Sequence, residues 1–194
     1  MQDEFKELCR AIYSNDDELR RFRQLMVNLV LATDLFDAEL QAIRNSRWDK
    51  AFGNGLNDDE NEEENPSYVQ NRKLTCVIEH LIKVSDVAHT MQHFDIYLTW
   101  NQKFFFECYK AYAEGRAAKD PSEKWYEGEI GFFDGYIIPL ADKLDKCGCF
   151  GILAKDYLAN AVKNRREWQR RGRDIVREMK DSYQKSIYST KSSE

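Results

Sequence analysis

Apolar residues recur at helical spacing from Leu74 to Ala111, and that periodicity constrains the fold more than any other feature of the chain. Leu74, Val77, Ile78, Leu81 and Ile82 predict one buried stripe; Tyr97, Trp100, Phe104, Cys108 and Ala111 predict a second. Strict alternation of apolar and polar residues is nearly absent elsewhere, and nine glycines and three prolines leave few turn signals. An all-α chain with short connections follows.

Between the two stripes lies Ser85-Asp86-Val87-Ala88-His89, a carboxylate and an imidazole where the pattern would otherwise stay apolar. A charge at the junction of two buried helices is costly unless it is paired or coordinates a metal. Asp86, His89 and His93 stand at i, i+3 and i+7, one face of an unbroken helix, and carboxylate with imidazole at that spacing suits a metal ion. The alternative is a helix-terminal aspartate with two histidines at its rim.

The 194 residues are enough for one domain with a real core, and 42% hydrophobic residues with 11 Phe, 10 Tyr and 4 Trp favour folding over disorder. A net charge of −5 gives no footprint for a nucleic acid polymer. The basic run from Lys163 to Arg173 is the exception; it reads first as the solvated face of a C-terminal helix and second as an anion-binding or membrane-proximal patch. Five cysteines (Cys9, Cys76, Cys108, Cys147, Cys149) match no zinc-ribbon spacing, and an odd number argues against a disulfide framework. Free thiols in a reducing compartment are expected. There is no signal peptide, and no apolar run reaches the roughly 18 residues of a membrane span, so the chain is expected to be soluble and cytoplasmic.

Along the chain, residues 3–14 suit a short amphipathic helix, and Ser14 to Asp17 form an N-cap cluster for a stronger helix that ends near Thr33-Asp34. Residues 35–48 again have helical spacing. Residues 53–67 are acidic and poor in apolar side chains, which predicts a mobile surface loop; a calcium loop is the sharper alternative, but EF-hand spacing is absent. Residues 129–146 form an amphipathic helix bent at Pro139, and a long charged helix from Lys155, fraying after Gly172, leads to a Ser/Lys-rich tail. The expected organisation is residues 1–152 as one unit and 153–194 as a charged helix and tail.

Five segments in order carry a resemblance: Leu31-Ala32-Thr33-Asp34, Ser85 to His89, Tyr97-x-x-Trp100, Gly128 to Asp134, and Ile138-Pro139-Leu140. Together they resemble the class I cyclic-nucleotide phosphodiesterase catalytic domain, over roughly residues 20–150 and its C-terminal half. Arg44-x-x-Arg47-Trp48-Asp49-Lys50-Ala51-Phe52 and Gly128 to Leu140 are most similar to protist and microalgal members, some of which carry the domain on a membrane-bound cyclase.

The resemblance implies an all-α phosphodiesterase-type fold that hydrolyses a 3′,5′-cyclic phosphodiester to a 5′-nucleotide in signal transduction. It implies two divalent metal ions (Zn, Mg or Mn) activating a hydroxide, with a histidine protonating the leaving oxygen. Asp86 matches a metal-ligating aspartate. Phe132 matches the ring that stacks on the purine, Phe104 the apolar residue across that clamp, and His89, Leu35, Tyr97, Trp100 and Asn101 neighbouring pocket positions. For Trp100, core packing is favoured.

Three departures matter. The base-reading glutamine of the family is Glu129 here. An ionised carboxylate only accepts hydrogen bonds, guanine offers N1–H and N2–H, and adenine presents N1 as an acceptor, so cyclic GMP is expected over cyclic AMP. Alternatively, Glu129 is a carboxylate favoured at a helix N-terminus. Lys83 stands where the family usually has a histidine. Finally, the family's His-Asn and His-Asp motifs, with the proton-donating histidine, are not matched by His80, His89 or His93, the only three histidines. No catalytic residue is therefore assigned, and the chain is expected to be inactive alone, to expose a large apolar patch where partner helices are lacking, and to act as a homodimer or attached to a cyclase in a longer parent. A non-catalytic nucleotide-binding or subunit-interaction module is the competing reading.

Overall fold

A computed structural model describes residues 5–35, 37–53 and 65–191, without the side chains of Lys6, Arg10 and residues 186–191. Every regular element in it is helical. The chain divides into two compact units, Met1–Asp86 and Val87–Glu194.

The first unit holds α1 (Lys6–Ile12), α2 (Asp16–Ala32), α3 (Ala38–Phe52) and α4 (Pro66–Asp86). The expected N-cap cluster operates at α2: the Asn15 side chain accepts from the Glu18 amide at 3.0 Å, and Glu18 reaches back to the Ser14 amide at 2.6 Å. Asp37 caps α3, accepting from Leu40 N–H at 3.0 Å, so the helix begins at Ala38 rather than at Leu35 and runs on to Phe52. Residues 54–64 of the acidic segment lie outside the described residues; Pro66 and Ser67 already belong to the first turn of α4.

Helices α2 and α3 both pack on α4, but not on the expected stripe. The buried residues of α4 are Cys76, Glu79, His80 and Val84; of the expected stripe, Val77 and Ile78 are half-buried and Leu74, Leu81 and Ile82 exposed. Trp48 organises this small core, with ring centroids 4.5 Å from Phe52 and 4.8 Å from His80. The Glu79 carboxylate, buried beside it, is paired with the Arg47 guanidinium. On α2, Phe22, Met26 and Val30 are also exposed, so the unit presents apolar surface from two helices.

The second unit is assembled along one helix. A tight turn (Ala88–Met91), α5 (Phe94–Ala113), a second turn (Pro121–Glu123), α6 (Trp125–Phe132), a wider π-type turn (Phe133–Ile137) and α7 (Ile138–Lys146) all contact α8 (Leu153–Lys191). The helical path from 125 to 146 widens just before Pro139. A proline ring clashes with the carbonyl four residues back, and here Ile138 N–H bonds Phe133 C=O, five residues back, to carry the chain past that point.

Buried residues of α8 include Ala154, Ala161, Trp168 and Ile175, seven apart, with Asn164, Val176 and Met179 beside them. Asn164 donates both amide hydrogens, to Thr90 C=O at 2.9 Å and Gln92 C=O at 2.8 Å, which satisfies two carbonyls of the turn before α5. Helix α8 continues through Gly172 rather than fraying there. A Cβ at Gly172 would lie 2.8 Å from the Trp168 ring and 2.9 Å from Tyr126, so the missing side chain is what lets α6 approach α8.

The basic run of α8 is largely engaged within the unit rather than forming a free patch. Arg165 binds Asp134 through two hydrogen bonds of 2.9 and 2.8 Å, and Arg173 pairs with Glu127 at 2.8 Å while lying over the Tyr126 ring at 4.2 Å. Farther on, Lys180 bonds Asp120 at 2.8 Å and Ser122 at 3.0 Å. Burial pushes the Asp120 carboxyl up, but the hydrogen bonds from Lys180 and Ser122 outweigh it and hold it below its usual range.

Candidate functional site

Two pairs of side chains, each one helical turn apart, face each other across α5 and α6. Helix α5 presents Tyr97 and Asn101, and α6 presents Trp125 and Glu129, both pairs at i, i+4 spacing. Tyr97 donates its hydroxyl hydrogen to a Glu129 carboxylate oxygen at 2.7 Å. Trp125 donates Nε1–H to the Asn101 carbonyl oxygen at 3.1 Å, which fixes the orientation of that amide. The Asn101 NH2 is thereby turned toward the Tyr97 hydroxyl, at 3.4 Å, and also hydrogen-bonds Glu129. Tyr97 and Asn101 are buried, and Glu129 is half-buried.

Burial pushes the Glu129 carboxyl above the usual glutamate range, against the opposing pull of hydrogen bonds from Tyr97 and Asn101. Burial, the Glu129 charge and the hydrogen bond to it together push the Tyr97 phenol well up, so Tyr97 stays a donor at any working pH. A folded-state pKa raised above the unfolded value contributes stability that is present at low pH and lost as pH rises through the folded value. Chemical denaturation of the second unit should therefore become easier from pH 4 to pH 8 by an amount that Glu129→Gln removes. An equal or steeper pH dependence in the Gln variant, from urea midpoints across that range, would contradict the assignment.

The apolar surround is built from rings. Trp125 meets Phe105 edge-on at 5.1 Å and Phe104 at 5.3 Å. Phe104 is 57% exposed and Trp100 52% exposed, so neither is a core residue; for Trp100 this corrects the packing expectation. The Lys103 ammonium lies 4.6 Å from the Trp100 ring centroid, and His89, half-buried, has its ring 6.0 Å away. Phe132, half-buried, stacks on Tyr136 one turn further along, at 5.5 Å and 20°. Sequence reasoning missed Trp125, which carries no family motif; its i, i+4 relation to Glu129 is the signal that could have found it.

Asp86 and Leu35 belong to the first unit. Leu35 is half-buried in the link before α3, and Asp86 is the exposed last residue of α4. An exposed carboxylate carries no burial cost, so the desolvation argument for a metal at Asp86 falls away. The Asp86, His89, His93 face does not exist either, because α4 stops at Asp86. Thr90 closes the following turn with both its amide (2.9 Å) and its hydroxyl (2.7 Å) on Val87 C=O. His93 is the N-cap of α5, its Nδ1 accepting from Asp95 N–H at 3.4 Å, and His80 lies against Trp48. Among the described residues no group of three or more His, Cys, Asp or Glu side chains is placed to hold a metal ion. These residues do not fit a two-metal centre.

Among the described residues no helix is long and apolar enough to cross a membrane. No curated protein and no solved structure matches the chain. A family model, described as 3'5'-cyclic nucleotide phosphodiesterase, matches residues 1–150. Proteins of that kind are hydrolases acting on cyclic nucleotides and are generally metal-dependent. The match spans most of the 194 residues, it includes the paired faces of α5 and α6, and the helical architecture agrees with it: the chain belongs to the 3'5'-cyclic nucleotide phosphodiesterase family.

Proposed function

We propose that this chain supplies the purine-reading part of a cyclic-nucleotide phosphodiesterase, that it prefers cyclic GMP, and that it does not turn over substrate alone. The observation that carries the preference is the Trp125, Asn101, Tyr97, Glu129 network. An ionised carboxylate has about four acceptor positions, and Tyr97 and Asn101 use two of them. Two remain for the parallel N1–H and N2–H donors of guanine. Phe132 and Phe104 are the rings we assign to the base, with His89 beside them. A carboxylate at the helix N-terminus is the weaker reading of Glu129, because it lies in the second half of the short α6.

Absence of turnover rests on the donor set. Asp86 is the one metal-ligating position that carries over, and a single exposed carboxylate does not hold two divalent ions, whether zinc, magnesium or manganese. The general-acid histidine has no counterpart among His80, His89 and His93, which serve a core, a half-buried rim and a cap. In the cell we place the chain in the cytoplasm, where cyclic nucleotides act.

The test is binding of each cyclic nucleotide to the full chain, followed by Trp fluorescence or calorimetry, beside a turnover assay with added zinc, magnesium or manganese. Cyclic GMP should bind roughly 10-fold or more tightly than cyclic AMP, the worth of a hydrogen bond to a charged group. Glu129→Gln, whose amide both donates and accepts, should bring the ratio close to one. Lowering the pH through the raised Glu129 pKa should do the same in the unmodified chain, since the protonated carboxyl gains a donor for adenine N1. Tighter binding of cyclic AMP overturns the preference. Metal-dependent hydrolysis by the purified chain overturns the assignment of inactivity and leaves the base reading standing.

A further inference from the structure

Helix α7 ends in Cys147-Gly148-Cys149, two thiols on either side of one glycine at the helix cap. Cys147 is the C-cap, its amide donating to Lys143 C=O at 3.0 Å, and Gly148 follows in the left-handed conformation with φ of 70°. That reversal brings the Cys149 side chain back onto the Cys147 backbone. Each thiol also donates to a carbonyl of the cap, Cys147 to Leu144 C=O at 3.3 Å and Cys149 to Cys147 C=O at 3.5 Å. Cys149 is exposed and Cys147 half-buried. Of the five cysteines, only these two are neighbours in sequence, and Cys76 is buried in the other unit.

We propose that Cys147 and Cys149 form a reversible oxidation site, a dithiol that closes to an intramolecular disulfide on exchange with a small-molecule disulfide. The exposed Cys149 attacks first. Its thiolate displaces one thiolate from the oxidant and forms a mixed disulfide at Cys149. Cys147 then loses its proton to solvent, attacks the Cys149 sulfur and expels the second thiolate. Two protein thiols are oxidised, one low-molecular-weight disulfide is reduced to two thiols, and the two protons pass to those thiols. Burial pushes the Cys147 thiol up, which suits the resolving rather than the attacking role. Gly148 allows the tight ring because its backbone already takes the turn without strain. Closure removes the Cys147 S–H from Leu144 C=O, so the oxidised form loosens the last turn of α7, beside its packing on α8.

Lys146 and Lys155 flank the pair, so trypsin releases both cysteines in one peptide, residues 147–155. The folded full chain is incubated with oxidised glutathione, quenched with an alkylating agent and mapped by mass spectrometry. The expected product is that peptide with an internal disulfide, restored to two alkylated cysteines by dithiothreitol. Cys147→Ser should stop at glutathione on Cys149, and Cys149→Ser should slow modification of Cys147 by about 10-fold or more. An unmodified chain that stops at the Cys149 mixed disulfide, or that closes the ring only in urea, overturns the proposal. So does a Cys149→Ser variant that reacts at Cys147 as fast as the unmodified chain.

Discussion

Trp168→Ala is expected to destabilise the second unit by about 3–5 kcal/mol, the range for emptying a fully buried aromatic site. Trp168 is 0% exposed in the middle of α8. Its ring meets Tyr97 edge-on at 5.8 Å, and its Nε1–H donates to Tyr126 C=O at 3.2 Å, so one residue holds both α5 and α6 to α8. The cavity cannot collapse easily, because Gly172 on one side offers no side chain to fill it and Tyr126 is fixed by its hydroxyl bond to Gln169 C=O at 3.1 Å. The loss should reach the candidate site, since Tyr97 is packed against Trp168 while it donates to Glu129. Urea denaturation should show the fall in midpoint, and hydrogen exchange should show faster opening of α5 and α6 amides. A fall below about 1 kcal/mol would mean that Trp168 is not the centre of this core.

Arg47→Met is expected to cost the first unit about 3 kcal/mol, because it strands the Glu79 carboxylate in the core. The Glu79 side chain is only 6% exposed and Arg47 is 36% exposed, so water replaces the guanidinium poorly. The partial access of Arg47 sets the estimate at the low end for breaking a buried pair. The double variant Arg47→Met with Glu79→Leu should regain most of the loss, since removing both charges removes the desolvation penalty. Hydrogen exchange of α3 and α4 amides would follow the effect within this unit. Near-additive losses in the double variant would show that the pair is not coupled.

Much of this fold was legible in the sequence because its cues are local. Asn15, within the expected cap cluster, caps the helix that follows it, and the shortage of glycine and proline already argued for helices with short links; the Asp37 cap was not read, and α3 starts three residues later than its spacing suggested. Pro139 marked a disturbed helix, though the disturbance is a widened turn before it rather than a simple bend. The long helix α8 read only as charged, because its buried stripe mixes Ala154, Ala161, Asn164, Trp168 and Gly172, and small or polar residues hardly register as an apolar pattern. Five of the six basic residues from Lys163 to Arg173 are exposed, as a solvated face requires; what the sequence did not show is that Arg165 and Arg173 meet carboxylates 31 and 46 residues away.

The candidate site divides in the same manner. Glu129, Tyr97 and Asn101 could be named from motif order, and the geometry that joins them required α5 and α6 to be placed side by side. Trp125, which fixes the Asn101 amide, belonged to no motif and emerged only from that placement.

By itself, the sequence determined that the chain is helical, where α2 begins, and which family it resembles, since capping, periodicity and motif order need no knowledge of neighbours. Only the tertiary structure decided which face of each helix is buried. On α4 the apolar stripe is only half-buried at Val77 and Ile78 and exposed at Leu74, Leu81 and Ile82, while Glu79 and His80 are covered by Arg47 and Trp48. The physical reason is that burial belongs to a pair of surfaces, and a stripe on one helix does not specify its partner.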